Sequence, residues 1–94
     1  MSNEVVISRL RMGELVVTRG AMDALTSNDI IRSLTRHLSG DWGELDEHDW
    51  IVNEDAMEFG GRVMSRYSSE NGTVFWIITE CDRSATTILL PEEY

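Results

Sequence analysis

Two histidines, one cysteine and seventeen carboxylates are the groups in this chain that move protons, attack electrophiles or hold metals. His37, Asp41, His48 and Asp49 form the one run mixing imidazole with carboxylate, a donor set that suits zinc or iron. Their spacing fits no compact ligand motif, and a helix-end histidine beside capping aspartates accounts for them without a metal. Cys81 with His37 or His48 would make a thiol–imidazole pair. A lone cysteine at a strand end beside apolar residues is more simply filler. Lysine is absent, which removes a phosphate-loop lysine and a Schiff base. There is no Gly-x-Gly-x-x-Gly, no cysteine pair and no His-Glu-x-x-His. The expectation is no catalytic residue, no metal and no cofactor. A small enzyme using His37 with Asp41, or the Asp82-Arg83-Ser84 loop, ranks third among the readings below.

Charge is the strongest signal. Seventeen acidic residues face eight basic ones, all arginine, for a net charge of -9. Between Asp41 and Gly61 lie Asp41, Glu44, Asp46, Glu47, Asp49, Glu54, Asp55 and Glu58, with no arginine among them. Such a field repels nucleic acid and anionic membrane surfaces and attracts proteins with basic grooves. Like charges at i,i+3 and i,i+4, such as Asp46 with Asp49 and Glu54 with Glu58, cost a few tenths of a kcal/mol each. Trp50 stands among these acids; displayed, it would be an aromatic anchor, and turned inward it would be core. The expected contact set is Asp46, Glu47, Asp49, Trp50, Glu54, Asp55 and Glu58. A solvated polar face explains the same residues without a partner. A second candidate is the polar loop Glu80, Asp82, Arg83 and Ser84, since loops on rigid sheets often carry function. Turn capping explains that loop equally.

The elements that would position these groups are readable from pattern. Glu14 to Thr18 predicts a strand, broken at Gly20. Ser27 to Ser39 predicts a helix: Ser27 as N-cap, Ile30, Ile31, Leu34 and Leu38 as one stripe, Gly40 as stop. A second helix runs from about Leu45 or Asp46 to Met57 or Glu58, capped by Asp46. Leu45, Val52, Ala56 and Phe59 form one candidate inner stripe, and Trp50, Asn53 and Met57 another; a small domain buries only one. Trp42 reads as core. Arg62 to Ser69 and Thr73 to Thr79 form a hairpin on Asn71-Gly72, and Thr86 to Leu90 is the last strand. The fold class is α+β: two main helices on a small antiparallel sheet, ordered β-α-α-β-β-β, with a C-terminal three-strand meander. Residues 1–94 form one domain, with 1–13 an edge strand or mobile lead-in. No apolar run reaches membrane length, the first residues lack a signal-peptide pattern, and the lone cysteine fits a reducing compartment, so the cytoplasm is the expected location.

His37-Leu38-Ser39-Gly40-Asp41-Trp42-Gly43, Asn53, Gly60-Gly61-Arg62, Trp76-Ile77-Ile78-Thr79-Glu80 and the string from Asp82 to Tyr94 resemble an uncharacterised family of small proteins on bacterial plasmids and other mobile elements. The resemblance covers roughly residues 14–94. Members are often labelled as the modification subunit of a type I restriction system. An amino-methyltransferase needs a cofactor-binding glycine motif and an Asn-Pro-Pro-aromatic motif, whereas the single proline here is Pro91. The resemblance therefore implies no catalytic residues; it implies a mobile-element setting, where small acidic proteins often disarm host defences. The leading expectation is an anti-CRISPR or anti-restriction inhibitor that blocks a basic nucleic-acid-binding groove by mimicking nucleic-acid charge, with no nucleic acid or membrane of its own. An antitoxin or accessory regulator binding one host protein is the alternative. The oligomeric state is not set by the sequence.

Overall fold

The computed structural model describes residues 8–94. In chain order the elements are β1 (Glu14–Val17), α1 (Arg19–Ala24), α2 (Ser27–Ser39), α3 (Glu47–Phe59), β2 (Val63–Ser68), β3 (Val74–Thr79), β4 (Ala85–Leu89) and a short 3-10 turn at Pro91–Glu93. The α+β class holds, with a four-stranded sheet ordered β1-β4-β3-β2. The expected meander is present: β2 and β3 pair antiparallel, as do β3 and β4. The turn between β2 and β3 uses Asn71, whose side-chain oxygen accepts from the Thr73 amide and hydroxyl.

Two expectations, the all-antiparallel sheet and the N-cap of α2, are corrected. β1 joins β4 in parallel, so the sheet is mixed. The chain leaves β1 at Thr18 directly into α1, with no hairpin, and returns only after the other elements, as a parallel partner requires. The strand ends at Val17, ahead of Gly20 as expected, and Gly20 lies inside α1, whose N-cap is Thr18. Thr26, not Ser27, caps α2, in a reciprocal box: its hydroxyl accepts from the Asp29 amide at 3.1 Å and its own amide donates to Asp29 at 3.0 Å. The other Asp29 oxygen accepts from the Glu70 amide at 3.1 Å. These backbone donors, at Thr26 and then Glu70, hold the Asp29 carboxyl below its ordinary range. Gly40 ends α2 in the left-handed region, as expected. Of the lead-in, Val5-Val6-Ile7 lies outside the described residues; Leu10 is buried and Met12 to Gly13 runs without regular structure into β1.

All three helices contact one face of the sheet. Ala21 and Leu25 of α1 pack with Tyr67, Phe75, Ile77 and Ile88. Leu10, Trp42, Ala56 and Val63 form a second cluster under α3. Among the described residues, the opposite face, carrying Trp76, Ile78 and Leu89, holds the C-terminal turn and Tyr94, whose ring meets Trp76 edge-on at 5.6 Å.

The two sheet edges differ. β2 is closed at Met64 and Arg66. Asn53 of α3 donates to the Met64 carbonyl at 2.6 Å and accepts from the Met64 amide at 3.2 Å, so an amide side chain replaces a neighbouring strand. Two residues on, the Arg66 amide donates to the Trp42 carbonyl and the Arg66 carbonyl accepts from the Glu44 amide at 2.7 Å. Gly43 lies between these contacts at φ 75°, where a Cβ would stand 2.1 Å from the Arg66 carbonyl oxygen. Only glycine fits there. Asn53→Ala is expected to cost about 2 kcal/mol, since it strands one donor and one acceptor in a half-buried place. Urea denaturation measures it; an unchanged midpoint would show that water substitutes for the amide.

Candidate functional site

Asp46 caps α3, accepting from the Asp49 amide at 2.8 Å. The helix then turns Trp50, Asn53, Ala56 and Met57 inward. Trp50 is thus half-buried against the second core cluster and is not a displayed anchor. The reason is spacing: residues 50, 53 and 57 share one stripe with 56, and Asn53 must reach the β2 edge. Glu54 also leaves the expected contact set for the scaffold. Its carboxylate accepts from the Trp42 indole at 2.7 Å and pairs with Arg9 at 3.1 Å. Arg9 first, then Trp42, hold that carboxyl below its ordinary range.

The outward side of α3 presents Glu47, Asp55 and Glu58, with Asp49 on its flank and no arginine paired to any of them among the described residues. Interleaved with these acids are Ile51, Val52 and Phe59, 53%, 48% and 78% exposed. These apolar residues are what reading from sequence missed as contacts. The signal was there: α3 carries apolar residues all round its circumference, and one stripe had to remain outside.

The Glu80–Ser84 loop is accounted for by packing. Arg83, at φ 61°, sends its guanidinium to the carbonyls of Gly61, Glu80 and Ala56. It thereby adds a second donor to the Ala56 carbonyl, which also accepts from the Gly60 amide, and ties the loop to the C-terminal end of α3. Asp82 accepts from the Ser84 amide at 3.0 Å, and Glu80 lies 3.8 Å from Arg62.

His37 and Asp41 are not brought together. Asp41 forms a two-pronged pair with Arg36 at the surface, which holds its carboxyl low. His37 is wholly buried, edge-on to Trp42 at 5.7 Å. Its Nδ1 lies 2.6 Å from the Ser65 hydroxyl and its Nε2 2.8 Å from that of Thr79, which lies 2.8 Å from that of Thr86. Thr86 donates to the Met12 carbonyl at 2.7 Å. Each hydroxyl has one proton, so this last bond sets the direction of the whole chain. Thr86 has spent its proton and must accept from Thr79, which must accept from His37 Nε2–H. Nδ1 is then bare and accepts from Ser65. The imidazole is neutral and in a single tautomer. Burial first, and then the charge of Arg83, depress its pKa to about 4. With no route to solvent, this cluster has the geometry of a core tie. Cys81, expected as strand-end filler, is instead exposed. Among the described residues no group of three or more His, Cys, Asp or Glu side chains is placed to hold a metal, and no helix is long and apolar enough to cross a membrane.

No protein-family model, curated protein or solved structure matches this chain.

Proposed function

We propose that this chain is an inhibitory binding protein of a mobile genetic element whose α3 face occupies a basic nucleic-acid-binding groove on a host-defence protein, in the manner of an anti-CRISPR or anti-restriction protein. The observation that supports it is the combination on one helix face of unpaired carboxylates with exposed Ile51, Val52 and Phe59. A face kept only for solvation has no use for the apolar residues, and a purely apolar face would not need the acids. From Glu47 to Glu58 the acids span about 16 Å of helix, at about 1.5 Å per residue. They would stand where backbone phosphates lie, steering the encounter, while the apolar side chains supply contact area once water leaves.

Pull-down from a bacterial lysate at low and then higher salt, with partners identified, tests this. A nucleic-acid-binding defence subunit that salt releases is the expected capture. Asp55→Arg/Glu58→Arg should abolish capture. Phe59→Ala should weaken it about tenfold or more through faster dissociation, with stability unchanged because the ring is exposed. Capture indifferent to both changes would reject the α3 face, and a basic toxin as the sole partner would favour an antitoxin.

A further inference from the structure

From the unequal sheet edges we infer that the chain forms a two-fold dimer by pairing β1 with β1 of a second copy, antiparallel, about Val16. β1 bonds β4 through Glu14 and Thr18, whose amides donate to the Ser84 and Ile88 carbonyls at 3.0 Å each. Alternation along the strand then aims the main-chain groups of Leu15 and Val17 away from the sheet. Among the described residues, nothing on this edge corresponds to the Asn53 clamp or the Gly43 crossing on β2. Leu15 and Val16 are 38% and 39% exposed, values at odds with an edge meant to stay in water.

A second copy fits better than an unrelated strand, on two counts. First, β1 is self-complementary in charge only when antiparallel. Glu14 opens the strand, and Arg19 follows its far end, its exposed side chain 4.0 Å from Asp23 in a loose surface pair that a second carboxylate can join. Pairing Leu15 with Val17 of the other copy satisfies all the outward groups. It also sets Glu14 of each copy within a residue of Arg19 of the other, twice over. Second, the long-range field permits it. The unpaired acids sit on α3, which packs beside β2 at the opposite end of the sheet, so the two negative faces point apart. The pairing also continues an existing surface. Val16 lies in register with Thr87 and, through it, Ile78 and Met64, on the sheet face opposite α1, α2 and α3. Two copies extend that face without a step.

The register makes the test sharp. Val16 meets its own copy in a pair without mutual hydrogen bonds, where Cα atoms are about 4.5 Å apart, within disulfide reach. In a Cys81→Ser background, Val16→Cys is expected to form an interchain disulfide rapidly under mild oxidation. Val17→Cys, opposite Leu15 of the other copy, should do so many-fold more slowly. Wild-type protein should sediment as a dimer. Val16→Glu, which sets two carboxylates face to face at an already exposed position, should sediment as a monomer with the same circular dichroism and a melting temperature lowered only by the lost association. A monomeric wild type across the accessible concentration range, a Val16→Glu protein that remains dimeric, or equal cross-linking at 16 and 17 would each overturn the inference.

Discussion

His37→Leu is expected to destabilise the fold by about 3 kcal/mol, although leucine is close to histidine in size and more apolar. The cost lies in what is stranded. The hydrogen-bonded chain from Ser65 to the Met12 carbonyl runs one way, and the imidazole is the only member that passes it between strands β2 and β3. Without it the buried Ser65 hydroxyl has no acceptor and Thr79 loses its donor, at about 1–3 kcal/mol for each group left unsatisfied. Ser65→Ala in the His37→Leu background should recover part of the loss, because removing both partners is far cheaper than removing one. Thr86→Val should be costly for the same reason, orphaning the Thr79 proton and the Met12 carbonyl together. Urea denaturation of the single and double variants measures this. Strict additivity of His37→Leu and Ser65→Ala would show that the two side chains do not act as a unit.

Stability should also fall on mild acidification, in a window set by the same residue. His37 titrates near 6.5 in the unfolded chain and at about 4 in the fold. Above pH 6.5 both forms are neutral and the full stability is present. Below it the unfolded chain takes a proton that the fold refuses, so stability declines until the folded value is reached. The difference is worth about 3 kcal/mol at 1.36 kcal/mol per pH unit. Asp29, Asp41 and Glu54, held low in the fold, add losses at lower pH, where their unfolded forms begin to protonate. Denaturant midpoints between pH 7 and 4 would show the decline, and His37→Leu protein should lack the part above pH 5. A flat profile for the wild type, or an unchanged slope in the variant, would place the acid sensitivity elsewhere.

Much of the architecture was legible because its causes are local. The Asp46 cap, the Gly40 stop and the Asn71-Gly72 turn each act within a few residues, and each stands where the pattern put it. The direction of β1 was not legible, because parallel or antiparallel pairing is decided between residues 14–17 and 85–88, far apart in sequence. Trp50 was ambiguous for a different reason. Its helix has apolar residues on every side, and only the need to deliver Asn53 to the edge of β2 selects the inner stripe. His37 stands in the last turn of α2 as read, but its burial was missed. It lies seven residues after Ile30 and three after Leu34, on the buried stripe itself, and that spacing was the available clue. Arg83 gave no sign at all, since its duty to α3 exists only once the chain has folded back.

The clamp that Asn53 places on β2 has a consequence for how far assembly can go. A sheet open at both edges is divalent: each copy that joins leaves a fresh end, and growth into fibres has no natural stop. With β2 sealed, this sheet has a valence of one, and a single pairing at β1 exhausts it. Asn53 acts in this sense as a chain terminator. Losing both this clamp and the Trp42–Glu44 crossing at Arg66 would turn a self-limiting pair into a repeating unit able to polymerise.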